Sequence, residues 1–243
     1  MPTSPEDLVT LSQSTLVAEV RRRLEAAADP ERAPAMRAYM RSELPFRGVS
    51  AVPLRRLCRE VFDRHRLAGE ATWRSVVLDL WDNAAYREER YAAVALTGHR
   101  LYRDFQRVET LDLYRHLVLT GAWWDLVDGI ASNRVGPILR ANPERVTPMM
   151  RSWAVDDDLW LRRTAILCQL GSKGETDVDL LAYAVGQNLE SSRHGREFFI
   201  RKGIGWALRE YAKTDEAWVV RFVGEHEGEL SGLSRREALK NVG

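Results

Sequence analysis

Residues 121–132 read GAWWDLVDGIAS, a stretch with two adjacent tryptophans and two carboxylates close behind them. On a helix, Trp124 and Asp128 stand four residues apart and share a face. Large aromatics ordinarily go inside and carboxylates ordinarily go outside. A face that carries both suits a ligand with an apolar surface and a developing positive charge. A sugar whose glycosidic bond is breaking is such a ligand, because its ring becomes oxocarbenium-like. A carboxylate close to that carbon lowers the barrier electrostatically and can position a water. The aromatic faces of Trp124 and Trp206 could pack on the sugar and stabilise its cationic character. On the motif alone the plainer reading is a helix start with core tryptophans and solvated aspartates.

The elements that must position these residues all read as helices. Apolar residues recur at helical spacing in STLVAEVRRRLEAAAD (14–29), VPLRRLCREVFDRHRLA (52–68), TWRSVVLDLWDNA (72–84) and REERYAAVALTGH (87–99). The pattern continues through TLDLYRHLVLTG, AWWDLVDGIAS, PERVTPMMRSWAV, DLWLRRTAILCQLG, DVDLLAYAVGQNLES, EFFIRKGIGWALREYAKT, EAWVVRFVGEHEGEL and SRREALKNV. Strand-like alternation is absent. Thr72 and Thr214 read as N-caps, Gly121 and Gly171 as C-caps, and Pro143 as the opening of a first turn. Helices this short, joined by short loops, pack as consecutive antiparallel neighbours. The expected fold class is all-α: a right-handed solenoid of antiparallel helix pairs, of the HEAT-like kind, with a concave groove. One such domain is expected over 14–243, after a flexible stretch at 1–13.

A repeat supports the stack. Basic residues recur just inside helices at Arg55 and Arg56, Arg90, Arg162 and Arg163, Arg201 and Lys202, and Arg235 and Arg236. Their contexts are alike: RRTAI, RKGIG and RREAL. The intervals are 34 residues from Arg56 to Arg90, 39 from Arg162 to Arg201 and 34 from Arg201 to Arg235, and the 72 from Arg90 to Arg162 spans two. Such periods mark helical-pair solenoids. The position with no basic residue falls near residue 126, inside WWDLVD. Equivalent positions of successive repeats line one surface, so the basic residues form a candidate stripe matched to a duplex phosphate backbone. Each arginine has an alternative role, bonding a carboxylate of the neighbouring repeat to hold the stack together.

Composition sets the bounds. The 243 residues carry 36 basic and 35 acidic side chains, so any polyanion site must come from local arrangement rather than net charge. Cys58 and Cys168 lie far apart and read as reduced core thiols of a cytoplasmic chain. The five histidines show no metal-ligand spacing, and neither a metal nor a cofactor is expected. No signal-peptide pattern opens the chain and no apolar run approaches the ~20 residues of a membrane span. A soluble, intracellular protein is expected.

The segments WWDLVD, WLRRTAILCQL and EFFIRKGIGWALREY resemble the AlkD-type DNA alkylpurine glycosylases, a HEAT-like-repeat family. MRAYMRSELPFRGVSAVPLRR resembles that family's N-terminal signature, and LSRREALKN also fits. The resemblance runs from about residue 14 to the end. It implies excision of N3- and N7-alkylated purines from double-stranded DNA by hydrolysis of the N-glycosidic bond. The damaged base would stay stacked rather than being flipped into a pocket, which would admit bulky adducts. By motif, Asp128 matches the catalytic carboxylate. Trp124 and Trp206 match an aromatic pair on the lesion's backbone and deoxyribose, and Arg163 matches an arginine that completes the site. Tyr39, Phe199 and Arg209 match groove residues near the lesion. The implied protein acts as a monomer, without a cofactor, in general repair or in self-resistance to a DNA-alkylating natural product. Asp125, the second carboxylate, reads as solvated or helix-stabilising. A reading from another class is a non-catalytic helical-repeat module that binds damaged or branched DNA, or a protein.

Overall fold

The computed structural model describes residues 5–243, with side chains from residue 15 onward. Of the stretch 1–13, residues 1–4 lie outside this description, and 5–13 are described as helical backbone alone. Among the described residues every regular element is helical. None of the helices is long and apolar enough to cross a membrane. The chain forms two compact units that meet in sequence at Gln106 and Arg107.

The first unit holds α1 (Pro5–Ala26), α2 (Ala33–Met40), α3 (Ala51–Arg64), α4 (Glu70–Asp82) and α5 (Arg87–Thr97), closed by a 3-10 stretch at Arg100–Phe105. Helix α1 packs on α3 and α4, and α5 packs on both α3 and α4. Leu16, Val20 and Leu24 of α1 and Trp73, Val77 and Leu80 of α4 are fully buried at helical spacing, which is why these segments are amphipathic. The loop before α3 is pinned by a buried carboxylate. Glu88 accepts the backbone amides of Arg47, Gly48 and Val49 at 2.9–3.1 Å. The buried acid is thereby satisfied and the loop loses its freedom.

The second unit holds α6 (Leu111–Gly121), α7 (Trp124–Ile130), α8 (Gly136–Ala141), α9 (Pro143–Ala154), α10 (Leu159–Leu167), α11 (Val178–Gly186), α12 (Phe198–Ala212), α13 (Glu216–Glu225) and α14 (Gly232–Ala238). Helix α10 lies at its centre and touches α6, α7, α9, α11 and α12. Accordingly α10 buries nearly its whole surface, Arg162 and Arg163 included.

Several caps differ from the sequence expectation. Thr72 is buried inside the first turn of α4, whose N-cap is Gly69, and Asp215 rather than Thr214 caps α13 by accepting the Trp218 amide at 2.8 Å. In the first case the apolar pattern begins a turn later than the helix; in the second, two capping types stand side by side. Gly121 is the last residue of α6, and Ala122 takes the left-handed turn after it. Pro143 opens α9, and Gly171 adopts φ 77° in the turn beyond α10.

Between α7 and α8 the chain stays helical but widens into a π-turn over Ala131–Val135. Pro137 supplies the cause. It has no amide to donate to the Asn133 carbonyl four residues back, and its ring crowds that carbonyl. The Asn133 oxygen is taken up by Arg134 Nη1 at 2.8 Å.

Polar contacts between successive helix pairs keep a near-constant chain separation. In the first unit Arg23–Glu60 and Arg100–Asp63 both span 37 residues. In the second, Arg145–Glu109 and Arg193–Asp157 span 36, and Arg163–Asp128 and Lys202–Glu237 span 35. A contact that recurs at one separation is what stacked helical pairs of equal length produce.

Candidate active site

Helix α6 is capped by Ala122 at φ 39°, ψ 38°, a left-handed conformation that a side chain resists. This turn reverses the chain at once and makes Trp123 the extended residue before α7. Trp124 and Asp125 then form the first turn and Asp128 the second. Asp125 stands where an acid favours the helix dipole.

Trp123 faces the neighbouring helices. Its ring packs 6.0 Å from Trp160 of α10 and 5.2 Å, edge-on, from Phe199 of α12. Trp160 and Phe199 are themselves 5.1 Å apart. This aromatic bank joins α7, α10 and α12. Trp160 precedes Arg163 by three residues, so the two share a face of α10. Sequence reasoning missed Trp123 and Trp160 as members of the site, although the i, i+3 spacing of Trp160 to Arg163 was a usable signal.

Arg163 is buried and forks onto Asp128. Its Nε donates to Oδ1 at 2.7 Å and its Nη2 to Oδ2 at 2.8 Å. Its Nη1 donates to the Phe199 backbone carbonyl. Two parallel bonds fix the plane of the carboxylate as well as its position. Gly203 makes room for this: a Cβ there would lie 3.0 Å from Arg163 Nη1. The Asp128 side chain retains 15% exposure, so the held carboxylate still meets solvent. Burial pushes its carboxyl above the ordinary aspartate range; the Arg163 fork pulls it back, and the charge of Asp125 adds to the rise.

Helix α12 carries the remaining candidates. Phe199, Gly203 and Trp206 follow at helical spacing, so half-buried Trp206 lies one turn beyond the point where Arg163 meets α12. Lys202 and Arg209 flank Trp206 at minus four and plus three. Both bond to Glu237 of α14: Lys202 Nζ to Oε1 at 2.7 Å, and Arg209 Nη1 to Oε2. The Lys202 hydrogen bond, reinforced by Arg209, holds the Glu237 carboxyl below its ordinary range. Helix α14 approaches this closely because Gly205 has no side chain; a Cβ there would lie 2.5 Å from the Glu237 Cβ.

The basic stripe divides. Arg162 is only 6% exposed and does not line a groove. It donates to the carbonyls of Val155, Asp156 and Gln187 and to Asn188 Oδ1, so it ties two loops together. For this residue the phosphate-contact expectation gives way to the stack-holding one, because the side chain is buried and its donors are spent on backbone carbonyls and the Asn188 amide. In the first unit, half-buried Arg90 donates to the Trp81 carbonyl at 3.3 Å and lies over the Trp81 ring at 5.1 Å. Arg55 and Arg56 are exposed on α3, with Arg56 paired to Glu60 at 3.0 Å. Tyr39 on α2 is 73% exposed. In the second unit, Arg201 is half-buried, with Nε enclosed and unpartnered. Arg235 bonds Glu227 at 2.8 Å, and Arg236 is exposed. The structure thus joins Asp128, Arg163 and Phe199 directly, and gathers Lys202 and Arg209 around Glu237. Among the described residues no three His, Cys, Asp or Glu side chains gather as a metal ion would require.

Fold and site together define an all-helical repeat protein with a carboxylate held by an arginine fork beside a bank of aromatic rings. The chain belongs to the DNA alkylation repair enzyme family, which it matches over residues 20–242. Among solved structures it is similar to a predicted DNA alkylation repair enzyme from Enterococcus faecalis. The two are 28% identical, with a TM-score of 0.77 over 88% of this chain and 96% of that one. No match is found among curated proteins. Membership supports a DNA repair role, with DNA as the substrate.

Proposed function

We propose that this chain is a monofunctional DNA glycosylase, active as a monomer. It hydrolyses the N-glycosidic bond of N3- and N7-alkylated purines in duplex DNA. The observation that carries the reading is the fork from Arg163 onto Asp128, which fixes a partly exposed carboxylate in one plane beside aromatic rings.

Alkylation at N3 or N7 makes the purine cationic, so the base departs with its electron pair and needs little protonation. The sugar left behind is electron-poor at its anomeric carbon. The Asp128 carboxylate, already oriented, stabilises that charge without reorganising when it appears. Water oriented by the carboxylate would then add to the carbon, and its proton would pass through the carboxylate to bulk solvent. Trp124, four residues before Asp128 on α7, and Trp206 on α12 would face the sugar and backbone. Within the second unit, Lys202, Arg209 and Arg236 would meet phosphates. A carboxylate that works on the sugar has no need of a pocket for the base, so the base can stay stacked and bulky adducts fit this scheme. Such tolerance suits general repair and self-resistance alike.

The test is release of free base from methylated duplex DNA, followed by chromatography for the wild type and Asp128→Asn. Release by the wild type, with loss in the variant and DNA binding intact, supports the reading. Binding without release, on methylated DNA and on bulky N3-adenine adducts alike, would assign a non-catalytic DNA-binding module instead.

A further inference from the structure

Glu237 is the one acid inside LSRREALKN, and nothing in the reaction uses it. Its two oxygens are divided between two cations of another helix, Lys202 by Oε1 and Arg209 by Oε2. Those cations stand seven residues apart on α12, on either side of Trp206. The cluster is partly open, with Lys202 41%, Arg209 22% and Glu237 17% exposed.

A carboxylate and a phosphodiester present the same recognition elements to such a pair. Each carries one negative charge shared by two acceptor oxygens, and each suits a guanidinium and an ammonium. An acid in this notch fills the place a backbone phosphate would take, and it cancels one of the two positive charges that would attract one. A purely structural tie for α14 would not need this carboxylate to face both cations, because α14 already closes on α12 at Gly205 and through Ser234 Oγ to the Arg201 carbonyl at 2.9 Å.

We propose that Lys202 and Arg209 form a phosphodiester-binding notch and that Glu237 is its internal stand-in, displaced when a DNA backbone phosphate enters beside Trp206. The inference rests on the DNA-acting role proposed above. Its consequence is a threshold: DNA gains the two contacts only by breaking two existing ones. Undamaged duplex is thus held weakly, and full engagement is kept for the site where Trp206 also finds its contact.

The experiment is a salt titration of binding to undamaged duplex, read by fluorescence anisotropy, for the wild type and Glu237→Gln. The amide keeps the shape and removes the charge. Binding should tighten about fivefold to tenfold at moderate salt. The log–log salt dependence should steepen by roughly one, since the notch takes one phosphate and each phosphate contact contributes about 0.9. An unchanged or weaker affinity with an unchanged slope overturns the proposal. Should Glu237→Gln not fold, Glu237→Asp carries the test: the shorter arm frees one cation, and the slope should steepen by about half as much. An Asp variant with the wild-type slope overturns it equally. Failure of the wild type to bind duplex at all would instead remove the DNA-acting reading, so the two failures are distinct.

Discussion

Arg163 and Asp128 bond through two parallel contacts of 2.7 and 2.8 Å across 35 residues of chain. The same separation, within two residues, joins Arg23 to Glu60, Arg145 to Glu109 and Arg193 to Asp157. The candidate catalytic pair therefore occupies the position at which other repeats place a tie between neighbours. It differs in setting, because the arginine is buried and backed by aromatic rings while the carboxylate keeps an opening to solvent. In the proposed reaction, what distinguishes this pair from a structural tie is its surroundings rather than its geometry.

Replacing Arg163 by lysine should separate orientation from charge. An ammonium cannot fork onto both carboxylate oxygens and reach the Phe199 carbonyl as well. Single-turnover base release should fall by about 10–100-fold, the range that misplacement of a reacting group commonly costs. Loss of the buried fork should lower stability by roughly 3 kcal/mol, visible as a depressed unfolding midpoint. A lysine variant with wild-type turnover would show that the plane of the carboxylate is immaterial.

The pH dependence follows from the burial of Asp128. Burial raises its carboxyl above the ordinary aspartate range, and in the proposed reaction only the ionised form stabilises the sugar cation. As pH falls through the raised value the carboxylate takes up a proton, so base release should decline at a higher pH than an exposed aspartate would give. Asp128→Asn has no such group, and its residual rate, followed alongside to subtract spontaneous depurination, should lack the inflection.

Gly203→Ala places a methyl group 3.0 Å from Arg163 Nη1, and the guanidinium tip must shift by a few tenths of an ångström. We expect base release to fall several-fold with duplex binding unchanged. Gly205→Ala meets the Glu237 Cβ at 2.5 Å and should loosen α14, with a cost of about 1–3 kcal/mol in denaturant unfolding.

Arg162 and Arg236 provide a contrast within one repeat series. Arg162→Ala strips partners from three part-buried carbonyls and the buried Asn188 Oδ1, so unfolding should show a loss of about 1–3 kcal/mol while the salt slope of DNA binding stays put. Arg236 is exposed, and its alanine variant should keep its stability and lower the slope by about one if it meets phosphate.

Much of this architecture is legible in the sequence because helical periodicity is set by burial. Segments such as α4 and α10 bury side chains at each turn, and their apolar positions announce it. The Trp124–Asp128 pairing is legible for the same reason. What stays hidden is the direction of neighbours. Arg162 and Arg163 are adjacent and chemically alike, yet they project about 100° apart on α10 and meet entirely different partners. Only the packing of α7 and α12 against α10 decides which arginine reaches the carboxylate. Caps fail similarly at Thr214, where Asp215 is an equally good candidate. Glu237 passes unnoticed because a carboxylate beside basic residues reads as a solvated surface charge.

The wide turn at Ala131–Val135 has a bearing on how this helix tolerates changes of length. A π-turn holds one residue more than an α-turn and leaves the flanking faces nearly in phase. Removing one residue there, with Pro137 replaced by a residue that carries an amide, would tighten the run into continuous α-helix with Asp128 still directed at Arg163. One residue removed from α10 ahead of Arg163 has no such slack and would swing the fork away by about 100°. Single-residue deletions across relatives should therefore collect in 131–135 and avoid 159–163.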